Sequence, residues 1–380
     1  MMHIAFLTPE YPHPSLSRSG GLGTSIKNLA KGLITIGVRV TVFVIGQKEN
    51  STVDDEGIHV VALAKKEHIV FNWFLERKRI QHIIQGYIER EGIQLIEAPD
   101  WTGLTAFMRF SVPLIIRLNG SDGYFCHLDG RQQKWKNRFL EKIALKNATA
   151  IVSVSTFTGE LTNKIFHLKK DITTIHNSID VNDFMPKNVE VIKNQILYFG
   201  TIIRKKGVLE LAQAFNRVVE RNPKASLLLI GKDSIDVFDK VSTLTLFYDI
   251  LTNEAKKQVK HIPEVPYHDI KTYVRQAQVV TLPSFAEAFP MTWLETLALE
   301  KPLVSSNIGW ANELMINGIT GYSINPKNHQ EFTLKLMELL NDEDKCNSFG
   351  KAGRKHVSQN FSVEVITRQN IEYYKTLIDS

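Results

Sequence analysis

The stretch 283–321, with the apolar run before it, constrains the fold more than any other part of the chain. Val279-Val280-Thr281-Leu282 is β-branched and apolar, which suits a parallel strand buried on both faces. Pro283 and Ser284 stop it, and the loop 285–289 carries one carboxylate, Glu287. Pro290 is placed to be the first residue of a helix, where its missing N–H costs nothing. Trp293, Leu294, Leu297 and Ala298 then form a helical apolar stripe. Lys301-Pro302 ends the helix, and Pro302-Leu303-Val304 begins the next strand. Glu287 therefore falls in the crevice at the carboxyl end of a parallel strand, beside a helix N-terminus. Open α/β sheets bind ligands there, and the helix N-terminus favours anions. Glu295 lies inside the first turns of the helix. The spacing predicts that the two glutamates share one pocket without sharing one helical face.

The same alternation runs through the rest of the chain. A strand at 3–8 leads into a long loop, 8–23, rich in Pro, Ser and Gly. Thr24 or Ser25 is the expected cap of a helix carrying Ile26, Leu29, Ala30 and Leu33 at helical spacing. Gly37 ends it, and 38–45 is the next strand. Gly20-Gly21-Leu22-Gly23 lets a phosphate approach the backbone closely, because no Cβ stands in the way. A plain surface loop fits that turn equally well, and its spacing is not the GxGxxG of a dinucleotide fold. Further strands are expected at 59–63, 95–98, 114–118, 150–154 and 173–175, with helices between them, which makes a doubly wound domain. The polar stretch 180–191 looks like a linker. A second alternation begins at Gln195, with strands at 196–199 and 226–230, a helix at 208–220, a less regular stretch at 233–260 and a helix around 269–277. A helix at 363–378 follows the polar segment 350–360.

Charge and composition exclude little. The chain has 380 residues, 43% apolar and 23% charged, with a formal net charge of +6, which suits two globular domains and an anionic ligand or surface. Cys126 and Cys346 form no disulfide framework and match no metal spacing, which fits free thiols in a reducing cytoplasm. The N-terminus reads directly as a strand with no leader pattern, and no apolar run is long enough to span a bilayer. Two segments are basic and aromatic. Residues 131–146 hold six Lys/Arg against one Glu, around Trp135, Phe139, Leu140 and Ile143. Residues 65–84 mix Lys65, Lys66, Arg77, Lys78 and Arg79 with Phe71, Trp73 and Phe74. Such helices can lie on an anionic membrane or simply pack their stripes on the core.

Four elements in order carry a family resemblance. They are Gly20-Gly21 in the first strand-to-helix loop; Asn177-Ser178-Ile179-Asp180; Tyr198-Phe199-Gly200 followed by Arg204-Lys205-Lys206-Gly207; and Glu287 with Glu295 in a Glu-x7-Glu signature, followed by Gly309, Glu313 and Gly318-Ile319-Thr320-Gly321. Over nearly its whole length the chain resembles the family 4 retaining glycosyltransferases. That resemblance implies an α/β GT-B fold of two facing Rossmann-like domains, with the C-terminal helix crossing back to the first. The domains would be 1–186, which binds the acceptor and takes back the helix at 363–380, and 187–362, which binds the nucleotide sugar. Hinge closure would then bring Gly20-Gly21 against the diphosphate.

The resemblance also implies roles. Glu287 would accept from hydroxyls of the transferred sugar, and Glu295 from the ribose, as charge-assisted hydrogen bonds. Backbone N–H groups at Ala288, Phe289 and Met291, but not Pro290, would face the pyrophosphate. Lys206, with Arg204 or Lys205, would neutralise the leaving diphosphate. No metal and no cofactor is implied, the nucleoside-diphosphate sugar being a substrate. Three departures stand out. Thr201 follows Gly200 where the family often has Arg, and Asn119 stands where it often has His. Ala288, Pro290 and Trp310 replace smaller or different residues and would crowd the sugar pocket. The expected protein is a cytoplasmic hexosyltransferase, at the inner face of a membrane if its basic helices bind there. Its acceptor would be a glycan or lipid-linked glycan, in polysaccharide or lipopolysaccharide synthesis, with no nucleic acid partner. A nucleotide-sugar epimerase and an inactive sugar-nucleotide binder are the rivals.

Overall fold

The computed structural model describes residues 1–66 and 72–379. Phe71, one of the aromatics of the basic segment 65–84, lies outside them. The chain divides into two compact units, Met1–Ser178 with Ser362–Ser380, and Ile179–Phe361.

The first unit is built on an eight-stranded sheet. Its strands are β1 (His3–Thr8), β2 (Arg39–Gln47), β3 (Ser51–Asp55), β4 (Ile58–Ala64), β5 (Leu95–Pro99), β6 (Leu114–Leu118), β7 (Ala150–Ser153) and β8 (Ile172–Thr174). The order is β3-β4-β2-β1-β5-β6-β7-β8, parallel except for the β3–β4 hairpin. Side chains alternate between the faces of a strand, so each strand feeds two cores. Ile4, Phe6, Val42 and Ile115 meet Leu29, Leu33 and the C-terminal Ile366 and Tyr374 on one side. Ala5, Leu7, Phe43 and Ile116 meet Ile80, Ile84 and Ile88 of the helix Asn72–Glu91 on the other.

The second unit holds a six-stranded parallel sheet: β9 (Ile192–Phe199), β10 (Ser226–Ile230), β11 (Val259–Ile262), β12 (Ala277–Leu282), β13 (Leu303–Ser306) and β14 (Gly321–Ile324), in the order β11-β10-β9-β12-β13-β14. In both sheets the first strand of the unit or its neighbour marks a point where the winding reverses, between β1 and β5 and between β9 and β12. A crevice opens at the carboxyl ends of strands at such a reversal.

Several local expectations are corrected. The first helix is Gly21–Thr35, with Gly20 as its N-cap, so neither Thr24 nor Ser25 caps it. Thr24 Oγ1 instead donates to Gly20 O at 3.1 Å, and Ser25 Oγ donates to Asn177 Oδ1 at 2.8 Å. Pro290 is likewise one position outside its helix: it caps Met291–Ala298 with extended backbone. The basic helix near 131–146 begins only at Trp135. The polar segment 350–360 belongs to a helix, Glu343–Asn360, whose buried face holds Phe349, Val357 and small residues rather than a long aliphatic stripe. Strands β3, β11 and β14 escaped the reading because they are short or, in β3, polar and half exposed; Glu56 and Gly57, both at positive φ, turn the β3–β4 hairpin.

The segment expected as a linker is fastened down at its start. Arg354 donates to Phe184 O at 2.8 Å and to Val181 O at 3.1 Å, and Arg275 donates to Met185 O at 2.7 Å. The division between units falls before it, at Ser178 and Ile179.

The C-terminal helix Val363–Ile378 completes the first unit. It packs against Gly21–Thr35 so closely that a Cβ on Gly32 would lie 2.0 Å from Thr367 Oγ1. It also supplies two groups to a buried charge pair. Arg117 Nε and Nη2 donate to Glu97 at 2.6 and 3.0 Å, Nη2 donates to Asn370 Oδ1 at 2.5 Å, and Nη1 donates to Ile175 O at 3.1 Å. Tyr374 donates to Glu97 Oε2 at 2.6 Å.

Candidate active site

In the second unit, two loops meet where the sheet reverses. The loop after β9 makes a 3-10 turn, Arg204–Lys206, and reaches Gly207. The loop after β12 carries Glu287. Phe285 N donates to Lys205 O at 2.8 Å and ties the loops together. Gly207 sits at φ +72°, and a Cβ there would come within 1.9 Å of Pro283 O, so only glycine lets the two loops approach.

That approach brings Lys206 and Glu287 into an ion pair, Nζ on Oε1. Both side chains are largely shielded, at 23% and 12% exposure. Beneath them lies Tyr198, fully buried, whose hydroxyl donates to Thr201 O at 2.8 Å. Burial, and then the nearby Glu287 carboxylate, push the Tyr198 phenol well above its usual range. Glu295 is buried in the helix Met291–Ala298, and Tyr267 donates to its Oε1 at 2.6 Å.

Arg204 is placed differently. Its guanidinium donates to Asp236 at 2.7 and 3.2 Å, contacts Asp239, and lies 5.5 Å from the centre of the Phe238 ring. Asp236 is fully buried. Burial opposes its charge, yet Arg204 and the N–H groups of Asp239 and Phe238 hold its carboxyl below the usual range. The structure thus joins Lys206 to Glu287 but joins Arg204 to the loop after β10. Thr201 is exposed, and Lys205 contributes its carbonyl to the Phe285 contact.

In the first unit, the loop after β1 holds Gly20 and Gly21 at the start of a helix. The backbone N–H groups of Gly20 and Gly23 both donate to Glu10 Oε1, at 3.0 and 2.9 Å. The protein's own carboxylate therefore occupies part of the anion-binding turn. At the sheet reversal, a cavity of about 20 Å³ is lined by Phe6, Ser25, Glu97, Arg117, Asn119 and Asn177, among others. Asn119 N donates to Asp100 Oδ1 at 3.0 Å. Burial, then the neighbouring Glu141, push the Asp100 carboxyl up to about 7, and its Oδ2 has no hydrogen-bond partner among the described residues. Asn28 Nδ2 donates to Ser178 O at 3.0 Å, so the Asn177-Ser178 pair is held by the first helix through both residues.

Comparison with known proteins agrees along the chain. Residues 19–183 match the family Glycosyltransferase Family 4, and residues 181–356 match Glycosyl transferases group 1. The chain is a family 4-like glycosyltransferase. It is 28% identical over 258 residues to the capsular polysaccharide biosynthesis glycosyltransferase CapM of Staphylococcus aureus, covering 63% of this chain and 64% of that one. It is 24% identical over 398 residues to the uncharacterized glycosyltransferase MJ1178 of Methanocaldococcus jannaschii, covering both completely. Among solved structures, sucrose-phosphate synthase from Thermosynechococcus elongatus superposes with a TM-score of 0.83 at 18% identity, over 100% of each chain. Anabaena HepE, solved in complex with UDP and glucose, gives 0.75 at 18% identity, over 99% of this chain and 100% of that one. The fold is GT-B, with two Rossmann-like domains.

In this glycosyltransferase the side chains expected to crowd a sugar pocket are turned inward. Trp310 is fully buried, and Ala288, Phe289, Pro290 and Met291 are buried as well. The Phe289 ring packs edge-on against Phe361, with centroids 5.3 Å apart. The burial of Trp310 sets it among the packed side chains of the second unit. Among the described residues, no group of three or more His, Cys, Asp or Glu is arranged to hold a metal ion, and no helix is long and apolar enough to cross a membrane.

Four residues escaped the sequence reading: Glu10, Asp100, Asp236 and Tyr267. Glu10 and Asp100 had a usable signal, each being a carboxylate just past a strand end. Asp236 lies in an irregular stretch, and Tyr267 reaches Glu295 only through the tertiary fold.

Proposed function

We propose that this glycosyltransferase moves a hexose-type sugar from a nucleoside diphosphate to a glycan or lipid-linked glycan, with retention and without a metal. The Lys206–Glu287 ion pair at the reversal of the second sheet carries the reading. Each partner satisfies the other while no donor is bound. A sugar diphosphate can replace both halves at once: its hydroxyls donate to Glu287, and its phosphate accepts from Lys206. The site thus exchanges one ion pair for two new contacts, without leaving either charge unpaired. As the bond between the sugar carbon and the diphosphate breaks, charge grows on the leaving oxygen, where Lys206 stabilises it more than in the ground state. The acceptor hydroxyl adds on the same face and passes its proton to that oxygen. Lys205 and the N-terminus of Met291–Ala298 lie on the same loops and support the diphosphate. Arg204 serves by fixing its turn to Asp236. In this reading Gly20, Gly21 and Asn119 of the first domain bind the donor.

A cell-surface glycan is the acceptor class that the resemblance to CapM supports. A membrane-bound acceptor is further supported by the helix Trp135–Asn147. Trp135 is 79% exposed and Phe139 48%, and Lys136 and Lys142 are exposed on the same helix. Such a face suits an anionic bilayer. The double substitution Trp135→Ser, Phe139→Ser is expected to leave stability within about 0.5 kcal/mol and to abolish co-sedimentation with phosphatidylglycerol vesicles.

The donor is found by thermal-shift screening against UDP-, GDP- and ADP-sugars, since a ligand bound only by the native state raises Tm. Transfer is then followed by proton NMR. An inverted anomeric configuration removes the proposed chemistry, and donor binding without transfer or epimerisation selects a sugar-nucleotide binder, the rival that Thr201 favours.

A further inference from the structure

Glu295 is an unusual residue for its surroundings. It lies in a helix whose other side chains include Trp293, Leu294 and Leu297, all fully buried, and is itself only 4% exposed. Among the described residues one side chain donates to it, Tyr267, at 2.6 Å on Oε1. A carboxylate offers about four acceptor positions on two oxygens, so a buried one held by a single hydroxyl is under-satisfied.

The donor of that hydrogen bond is fixed from outside the pocket. Tyr267 is the first residue of the helix Tyr267–Gln276, capped by Pro266. Its ring meets Phe184 edge-on, with centroids 6.4 Å apart. Lys271, one turn along, lies 4.6 Å from the centre of the Phe184 ring and pairs with Asp183 at 2.5 Å. The half-exposed ring of Tyr267 is thus braced by Phe184 while its hydroxyl reaches Glu295.

We infer that Tyr267 is a positioning residue for nucleoside binding: its hydroxyl holds Glu295 Oε1, and Oε2 is left as the acceptor for a ribose hydroxyl. The inference rests on the donor-site reading of Glu295 given above. The groups that act on this carboxylate agree with it. Burial pushes the Glu295 carboxyl up to about 7, the Tyr267 hydrogen bond and Lys271 pull it down, and Asp183 pushes it up. An acceptor must be ionised to be strong. Tyr267 thus does two things at once, orienting Glu295 and keeping more of it charged.

The sign of the pH dependence follows. Nucleoside affinity is full above the Glu295 titration and is lost as pH falls through it. Removing the Tyr267 hydroxyl removes a force that lowers the titration, so the loss begins at higher pH. The test is calorimetric titration of UDP and ADP, each as the ribonucleotide and the 2′,3′-dideoxynucleotide, into wild type, Tyr267→Phe, Glu295→Gln and the double variant. Wild type is expected to lose about tenfold in ribonucleotide affinity between about pH 8.5 and pH 6, beyond the loss seen with the dideoxy form. Tyr267→Phe is expected to bind within about threefold of wild type at the high end and about tenfold more weakly near pH 7, the diphosphate's own titration cancelling in the ratio. In the Glu295→Gln background, Tyr267→Phe should change nothing. A pH-independent ratio makes Tyr267 merely structural and overturns the inference. So does tighter binding by Tyr267→Phe, which would make the hydroxyl a competitor of the ribose. If wild type binds neither ribonucleotide, or does not distinguish ribo from dideoxy forms, the donor-site reading falls first and takes this inference with it.

Discussion

Each domain contains an ion pair between adjacent parallel strands or the loops that end them, and the two differ in their surroundings. Arg117 and Glu97 in the first domain are 7% and 4% exposed, and Asn370, Tyr374 and Ile175 O add three further hydrogen bonds. Lys206 and Glu287 in the second domain are 23% and 12% exposed. The first pair is sealed by neighbours inside the sheet's own core. The second stands past the strand ends, on loops that only glycine lets approach. The same fold thus places one charge pair inside a core with three further hydrogen bonds, and another on loops past the strand ends, where the proposed donor would replace both partners. A position past the strand ends can open a pair to a ligand but does not suffice, since Arg204 and Asp236 also stand there and fix a turn.

The comparison breaks most visibly at Arg117. Arg117→Ala strands a buried carboxylate and should cost about 3–5 kcal/mol of unfolding free energy in urea. Arg117→Met with Glu97→Leu should recover a substantial part of that loss, because apolar replacement of both partners leaves no uncompensated charge. At Lys206 the expected costs reverse. Lys206→Ala should lower donor turnover by about 10²–10³-fold, while unfolding free energy changes by no more than about 1 kcal/mol. A large stability loss there, with turnover intact, would make both pairs structural and end the contrast. The smallest effect is expected at Glu10. Glu10→Gln keeps an acceptor for Gly20 N and Gly23 N but removes the charge, and should cost about 1 kcal/mol or less. Thermal melts in phosphate buffer should then show the variant gaining more from added phosphate than wild type.

The sequence made the strands that feed both cores legible, because β-branched runs such as 279–282 have one physical reading in an α/β chain. It also made the loops that end them legible, through Gly207, Pro283 and the lone Glu287. Glu287 and Lys206 could be singled out and are brought together. The use of Arg204 could not be read, since its partners Asp236 and Asp239 sit in a stretch with no periodicity. The burial of Trp310 could not be read either: a tryptophan beside a glycine-containing loop suggests a pocket wall, and only packing reveals that it faces the core. Residues whose role depends on local spacing were visible, and those whose role depends on which distant side chain arrives were not.

One arrangement has a consequence for how the protein is made. The first domain is discontinuous in sequence, and its sealed pair needs Asn370 and Tyr374 from the last helix. A ribosome delivers those residues after the whole of the second domain. The second domain, contiguous from Ile179 to Phe361, is fully synthesised before them. During translation the second domain can therefore close first. The first domain waits, with Arg117 and Glu97 lacking two of their partners, until the helix Val363–Ile378 emerges.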